Sequence, residues 1–346
     1  MYRRYLIRRV LNGVMIYMVL IFAFSLMFNA TNEKIQRAQI EESLQAEMSR
    51  QRNMTADQLQ KYTAERRAYK YSIYHLDRPF LERVIWRTID TLTFQYGRST
   101  IIKSSHGDRE VWKVVTETVP RTMLLFSTAI VLEVGLGVWL GLKKAQRAGG
   151  VLDKSTSVAT MVVYGMPTWW LGMIMIMIFV YWIPIFPSGG MHAVPPPQGF
   201  VRFLDVLYHM ALPLLTLLLI GFWGIALLTR NIVLGILQED YIMAARARGL
   251  PERSVLFGHT MRTAAPPITT IALLSLLASV FGNIVFEGIF SWPGMGNLYW
   301  IAVQMSDVPV LMGLLSLTTG LYIAGLVILD LIYGFLDPRI KVGGKA

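Results

Sequence analysis

Long runs of apolar residues alternate with short polar segments along most of the chain. An α-helix needs about 20 mainly apolar residues to cross the hydrocarbon core of a bilayer. Six runs are long enough, and Gly and Pro recur inside them, as is common in membrane helices. These runs are Val10–Phe28, Val119–Leu142, Val158–Ile183, Leu207–Leu228, Ile268–Glu287 and Pro309–Phe335. The pattern predicts an all-α polytopic membrane protein with six transmembrane helices.

The first run predicts a membrane anchor and not a signal peptide. It follows the basic leader MYRRYLIRR, as a signal peptide would. It is, however, 19 residues long, and no A-x-A-like cleavage site follows it. We therefore count it as the first transmembrane helix.

Basic residues are unevenly distributed among the polar segments. The amino terminus, the loops after the second and fourth runs and the carboxyl tail are rich in Arg and Lys, whereas the other short loops carry little beyond Arg202. Short loops rich in Lys and Arg stay in the cytoplasm. We therefore expect a multi-pass protein of the cytoplasmic membrane with both termini inside. The long segment 29–118 is expected outside, because segments of this length cross largely regardless of charge.

This topology predicts three parts: the amino terminus with the first helix (1–28), an external helical region (29–118) and a five-helix core (119–346). Within the external region, 33–70 is rich in helix formers of both charges and predicts a helical hairpin, its second helix capped at Thr55 or Asp57. Two interpretations remain open, a solvated hairpin or a docking surface for an external partner. The mixture of aromatic and basic residues over 75–99 favours a helix lying at the membrane surface.

Composition narrows the classes of function. The net charge of +11 is compatible with nucleic-acid binding, but the arginines lie mostly between apolar runs or in one polar block, so no nucleic-acid partner is expected. The chain has no cysteine, which excludes disulfides and cysteine metal sites. His192 is a lone histidine without predicted partners, so no metal site is expected either.

One basic segment between two apolar runs has the sequence AARARGLPERSVLFGHTMR, residues 244–262. It is too polar to enter the bilayer and rich in helix formers. Gly249 is placed to end one short helix, and Pro251 suits the first turn of the next. The small residues Ala244, Ala245 and Ala247 would let another surface approach closely. The alternative interpretation is an ordinary positively charged cytoplasmic loop.

The segment DYIMAARARGLPERSVLFGHTMRTAAPP, residues 240–267, resembles the signature loop of ABC importer permeases, most of all the dipeptide/oligopeptide/nickel group. Three further stretches resemble the same group in the same order: LDRPFLERVIWRTIDTLTFQYGRS (76–99), FEGIFSWPGMGNL (286–298) and LDLIYGFLDPRIK (329–341). Some features differ from this group. Met243 stands where the motif has glutamate, MFNATNEK replaces a Pro-Gly-Asp-Pro-like turn, and 33–73 is longer than expected.

The resemblance implies a type I ABC importer permease fold with a helical external insertion between the first two helices. It implies half of a translocation pathway for di- or oligopeptides, with oligosaccharides or nickel as alternative cargo. The implied partners are a second related permease subunit, two ATPase subunits that bind ATP and magnesium, and an external substrate-binding protein. The implied residues that couple the permease to the ATPases are Asp240, Ala244, Ala245, Arg246, Arg248, Gly249 and Leu250.

Three residues in or near the predicted helices are candidates for the pathway or a gate. Glu133 lies inside the second run, where a carboxylate should face the protein interior and either line the path or accept a hydrogen bond from a neighbouring helix. Glu287, at the end of the fifth run, is expected to contact cargo or the binding protein, or to be satisfied by water. Trp169 could contact cargo. We also expect Asp330 to pair with a basic residue such as Arg339.

Two other classes of protein are less compatible with the sequence. The sequence lacks a G-x-x-x-x-G-K-[ST] phosphate-binding loop, an H-E-x-x-H motif and a nucleophile motif, so we expect no catalytic activity in this chain. A secondary transporter driven by an ion gradient usually has internal repeats and more helices, which the sequence does not indicate.

Overall fold

The computed structural model describes residues 2–50, 55–73 and 75–336, and these residues are almost entirely helical. Five helices are long and apolar enough to cross a membrane, and a sixth span is present if one bent pair of helices counts as one. The prediction of an all-α polytopic membrane protein is therefore confirmed. The chain divides into two compact units, a first unit of residues 1–117 and 301–346 and a second unit of residues 118–300.

The first unit combines the first and last spans with most of the long polar segment. Its helices are α1 (Tyr2–Arg50), α2 (Ala56–Ile73), α3 (Phe80–Leu92), α4 (Val111–Thr116) and the last helix, Val308–Leu336. The first and last helices are joined by an ion pair between Arg9 and Asp330 and by a hydrogen bond of 2.6 Å between the hydroxyls of Tyr17 and Ser316. Asp330 thus pairs with Arg9, and its predicted partner in the tail, Arg339, lies outside the described residues.

The polar part of this unit is built as the predicted pair of helices, with one difference. The first span does not end at Phe28, because α1 continues without a break to Arg50. Ile40 and Leu44 of α1 are buried against Leu76, which follows α2. The cap of α2 is Thr55, whose backbone N–H donates to the side chain of Gln58 at 3.1 Å, one half of a capping box.

A buried carboxylate fixes the start of the last helix in the first unit. Asp307 is fully buried and accepts hydrogen bonds from the Ser99 hydroxyl at 2.6 Å and the Thr100 backbone N–H at 3.0 Å. It also accepts from the backbone N–H of Val310, in the first turn of that helix, at 3.4 Å. The side chain therefore attaches the segment after α3 to the last helix.

The second unit contains the remaining spans. Its helices are α5 (Val119–Gln146), α6 (Val151–Val163), α7 (Thr168–Ile176), α8 (Gly199–Leu237), α9 (Asp240–Ala247), α10 (Glu252–Ser254), α11 (Met261–Ala278) and α12 (Ile284–Ile289). The helix α13 (Met295–Gln304) begins in this unit, and we name the last helix of the chain α14 (Val308–Leu336). The core of the second unit is apolar and includes Leu125, Met210, Leu212, Phe286 and Trp292.

Two of the predicted spans need correction. The run 158–183 is not one helix, because α6 and α7 meet at a bend of 93°. Pro167 immediately precedes α7, and proline disfavours helical geometry in the residue before it. The fifth span ends at Phe281, where Gly282 has a φ of +63°, so Glu287 lies beyond it on the separate helix α12.

Candidate functional site

The predicted coupling loop forms a short helix between α8 and α10. The helix α9 is eight residues long and ends at a glycine in the left-handed region, Gly249, whose φ is +77°. The backbone N–H of Gly249 donates to the carbonyl of Arg246 at 2.9 Å, and that of Leu250 donates to the carbonyl of Ala245 at 3.4 Å. These two bonds define a Schellman motif, which confirms Gly249 as a helix cap.

One face of α9 attaches it to the second unit. Ile242 and Ala245 are buried and pack against Val255, with Leu250 partly buried beside them. Leu237, at the end of α8, also packs against this small cluster. The helix is therefore held at the end of one span and at the start of the segment that leads into the next, so a displacement of α9 is transmitted to both.

The opposite face of α9 is exposed. Tyr241 and Met243 are 44% and 52% exposed, although both are large apolar residues, and Ala244, Ala247 and Arg248 are exposed beside them. Ala245 was predicted to be part of the docking surface, but it points inward and anchors the helix instead. The exposed face combines small, apolar and basic side chains, as a surface for another protein would.

Charged side chains stabilise both ends of the loop. Arg246 makes a bidentate contact with Glu252, with distances of 2.6 and 3.2 Å from Nη2 and Nε to the two carboxylate oxygens. The hydrogen bond to Glu252 raises the pKa of Arg246 above its usual value. Asp240 is the first residue of α9, where the helix dipole favours a negative charge. The structure thus brings all seven predicted coupling residues into one loop.

A second ion pair lies in the same unit and was not predicted. Arg230 donates from Nε and Nη2 to the two oxygens of Asp153, both at 2.6 Å, and the backbone N–H of Gly149 donates to the same carboxylate. The fully buried Lys144 lies close enough to interact electrostatically with both partners. The pair joins the first turn of α6 to α8. Arg230 lies two residues beyond the predicted fourth run, Leu207–Leu228, and the structure places it within α8, which continues to Leu237.

Glu133 lies on α5 and faces α8 at a glycine. A Cβ at Gly221 would lie 2.1 Å from the carboxyl carbon of Glu133, so a larger residue at this position would have to displace the carboxyl group. Glu133 thus faces a neighbouring helix, as expected for a carboxylate directed toward the protein interior. Among the described residues, no hydrogen bond to its carboxylate accompanies this contact, so the alternative of a donor on the neighbouring helix finds no support.

Glu287 is fully buried and bonded within the second unit. Its carboxylate accepts from the Thr122 hydroxyl at 3.1 Å and from the backbone N–H groups of Gly296 and Asn297 at 3.0 and 3.3 Å. Gly296 and Asn297 lie in the first turn of α13, so the carboxylate caps that helix. The expectation that water satisfies Glu287 is wrong, and in this structure its side chain has no surface that cargo could reach.

The tryptophans singled out in this region and the lone histidine are exposed or partly exposed. Trp169 and Trp170 lie on α7, each about two-fifths exposed, and Trp182 is more exposed still. His192 is exposed and its Nδ1 lies 3.1 Å from the carbonyl of Ala193. Among the described residues, no group of three or more His, Asp or Glu side chains could hold a metal ion.

The fold and the exposed loop define a polytopic helical membrane protein with a short amphipathic helix between two spans. Residues 133–342 match the family model described as the binding-protein-dependent transport system inner membrane component. That match covers more than half of the chain. The chain therefore belongs to this family, the permease subunits of ABC importers.

Several curated relatives share most of their length with the chain. The oligopeptide transport system permease protein AppB of Bacillus subtilis (strain 168) is 30% identical over 246 residues, which are 71% of this chain and 76% of the relative. The dipeptide transport system permease protein DppB of the same strain is 32% identical, over 79% of this chain and 83% of the relative. The di/tripeptide permease protein DppB of Pseudomonas aeruginosa (strain UCBPP-PA14) is 32% identical, over 67% and 73%.

Proposed function

We propose that the chain is one of two permease subunits of an ATP-driven importer of short peptides, and that it forms half of the translocation pathway. Its family supports the role of permease. The relatives above are named as oligopeptide, dipeptide or di/tripeptide permeases, and this supports peptides as cargo. Oligosaccharides or nickel are the alternative cargo of the same role, and no relative named here favours them.

The observation that carries this proposal is the construction of α9. A helix that exposes Tyr241 and Met243, yet is anchored by Ile242 and Ala245, can receive a push from a partner and pass it to α8 and to the segment before α11. Coupling of this kind needs a rigid element whose position both sites influence. In our proposal, two ATPase subunits bind ATP and magnesium, and one of them seats α9 in a groove. This chain itself binds no cofactor and catalyses no reaction.

The proposed arrangement places both termini and α9 in the cytoplasm and the segment 29–118 outside. The positive charge of the amino terminus and of the loops after α5 and α8 supports this orientation. A second, related permease subunit completes the pathway, and an external substrate-binding protein delivers the cargo. A secondary transporter driven by an ion gradient, the other class considered, would need neither ATPase subunits nor a docking helix.

Gly249→Asp tests the coupling role. A residue with a Cβ is disfavoured at a φ of +77°, and the new charged side chain projects from the loop. We expect the complex, purified through a tag on this chain from its native membrane, to retain its ATPase subunits and ATP hydrolysis. Peptide uptake in proteoliposomes should fall by about tenfold or more, as expected from the loss of about 1.4 kcal/mol of coupling.

Gly235→Asp is the matched control, because Gly235 lies in the last turn of α8 with open space around it and no positive φ. It adds the same charge near the loop without disturbing the cap, and uptake should stay near the wild-type rate. Normal uptake by Gly249→Asp would contradict the coupling role. Purification of the chain without ATPase subunits, together with ion-driven uptake in the absence of ATP, would instead establish the secondary transporter.

A further inference from the structure

A small cavity lies within the first unit, and its walls contain none of the coupling residues or pathway candidates. Its volume is about 210 Å³, and its walls come from α3, the segment after it and the first turns of α14. This volume is below the roughly 300–1,000 Å³ of sites for drug-sized ligands, so it suits a small molecule or the end group of a larger one. Most of its wall also lies outside residues 133–342, the part matched by the family model.

The charged residues in the walls of the cavity are mainly basic. Arg83, Arg87 and Arg98 line it, against a single acidic side chain, Asp90. Arg83 and Arg87 are one helical turn apart on α3, so both project from the same face of that helix. Arg83 is 9% exposed and binds Glu33 at 2.8 Å, while Arg87 donates to the side-chain oxygen of Asn29 at 3.0 Å.

Burial makes this positive charge costly. Desolvation, with a contribution from the neighbouring Arg83, lowers the pKa of Arg87 to about 10. Burial also raises the pKa of Asp90, although His75 and Arg87 nearby act in the opposite direction. An anion in the cavity would relieve the repulsion between the guanidinium groups.

Hydrogen-bonding capacity at the cavity is also unused. Within the part of the chain that the structure describes, three buried side-chain atoms of wall residues have no hydrogen-bond partner: Oε1 of Gln36, Nδ1 of His75 and Nε of Arg83. Buried polar atoms are nearly always satisfied in folded proteins, so such a cluster points to a ligand or water. His75 is held in place by stacking on Trp86, with ring centroids 5.3 Å apart.

We propose that this cavity binds a carboxylate group, such as the carboxyl end of a short peptide, between the guanidinium groups of Arg83 and Arg87. The planar guanidinium fork matches the two oxygens of a carboxylate. Asp90 disfavours a dianion such as phosphate, which is why we choose a carboxylate. The choice of a peptide rests on the proposed function, whereas the preference for a small anion rests only on the cavity.

Equilibrium dialysis of the full-length chain in nanodiscs, with radiolabelled dialanine as the probe, tests this site. We expect the wild-type chain to bind dialanine and to bind its carboxyl-terminal amide at least about tenfold more weakly, because the amide lacks the charged acceptor. Arg87→Gln should weaken dialanine binding by about the same factor. Asp90→Asn should strengthen it by about two- to fivefold, since one repulsive charge is removed.

The gain expected for Asp90→Asn separates a role in binding from damage to the fold, because a misfolded chain would not bind more tightly. Arg67→Gln is the matched control, as Arg67 lies on α2, pairs with Glu41 and is not part of the cavity wall. Equal binding of dialanine and its amide, no change in Arg87→Gln, or weaker binding by Asp90→Asn would each overturn the proposal.

Inorganic phosphate provides a second probe. If phosphate binds with the same dependence on Arg87 and dialanine does not, the assignment of a carboxylate is wrong. Failure of this site would leave peptide uptake by the purified complex unaffected, whereas failure of the proposed function would appear as purification without ATPase subunits and would not alter dialysis. The two results are therefore distinguishable.

Discussion

At the scale of single residues, glycines decide how closely α5 and α8 approach each other. A Cβ at Gly137 would lie 2.5 Å from the Cβ of Ile225, and one at Gly141 would lie 2.6 Å from the carbonyl oxygen of Ala226. Small residues at helix contacts are typical of membrane proteins, where close packing and not the exclusion of water drives association. Gly221 differs from the other two, because the space it leaves holds the carboxyl group of Glu133.

Gly221→Ala should destabilise the second unit by about 1–3 kcal/mol, because the added methyl group must displace Glu133 or separate the helices. Thermal unfolding in detergent measures this loss. The double variant Glu133→Ala/Gly221→Ala should lose less than the sum of the two single variants, because the clash is gone.

Gly135→Ala is the control on α5, since no atom lies within 4 Å of a Cβ at that position. Alanine favours helix over glycine by about 1 kcal/mol, so this variant should be neutral or stabilised. Strict additivity of Glu133→Ala and Gly221→Ala would show that the two residues do not interact.

Residue-scale predictions succeeded where the local sequence determines the geometry. Gly249 follows a short helix-forming stretch, and the left-handed cap depends only on its own backbone and that of its neighbours. The orientation of Ala245, the partner of Asp330 and the burial of Glu287 depend on contacts with residues distant in the sequence. No periodicity within one segment reports such contacts. The sequence could therefore predict a basic partner for Asp330 but not Arg9 itself, and it placed Ala245 and Glu287 wrongly.

At the scale of elements, hydropathy located the spans but not their breaks or extensions. A hydropathy pattern measures how strongly residues prefer an apolar environment. The run 158–183 is apolar on both sides of its bend, so the pattern does not show the bend. Pro167 was a usable signal, because proline disrupts helix continuity. The continuation of α1 beyond Phe28 also had a signal, since MFNATNEK contains neither glycine nor proline to end a helix.

Leu44→Asp should detach α2 from α1. Leu44 is 2% exposed in the small apolar cluster with Ile40 and Leu76, and an unpaired carboxylate buried there costs several kcal/mol. Hydrogen exchange of the backbone amides of α2 should then rise by about tenfold or more, since about 1.4 kcal/mol corresponds to a factor of ten.

Gln45→Asp, at the exposed neighbouring position, carries the same new charge and should leave the exchange of α2 unchanged. The ion pairs Lys70–Glu47 and Arg67–Glu41 also join the two helices, but they are partly exposed. If exchange is unchanged in Leu44→Asp as well, these pairs hold the helices together and the apolar cluster does not.

At the scale of the whole molecule, charge asymmetry leads to a prediction of orientation. The chain contains no cysteine, so a single introduced cysteine is the only thiol that a maleimide can label. We expect Lys103→Cys, in the segment 29–118, to react with a membrane-impermeant maleimide in intact cells. Ala247→Cys, on α9, should react only after the membrane is opened. Both positions are exposed.

Labelling of Ala247→Cys in intact cells, with Lys103→Cys protected, would reverse the orientation and with it the proposed site of ATPase docking. The cysteine-free parent controls for reaction at other groups.

At this scale, the sequence could predict the helical class and the family. It could also predict the number of spans, if the bent pair is counted as one span. It could not predict that residues 301–346 join residues 1–117 in one compact unit, because that depends on long-range contacts.

The unbroken α1 also fixes a distance and a direction. Its 49 residues, at about 1.5 Å of rise each, make a rod of roughly 70 Å, against about 30 Å for the hydrocarbon core. Residues 30–50 therefore reach roughly 30 Å beyond the span. One inserted residue would rotate the rest of the helix by about 100° around its axis. Seven inserted residues would shift it by about 10 Å along the axis and leave its side chains facing nearly the same way. The length of this helix thus sets both the distance of its far end from the span and the direction in which that end faces.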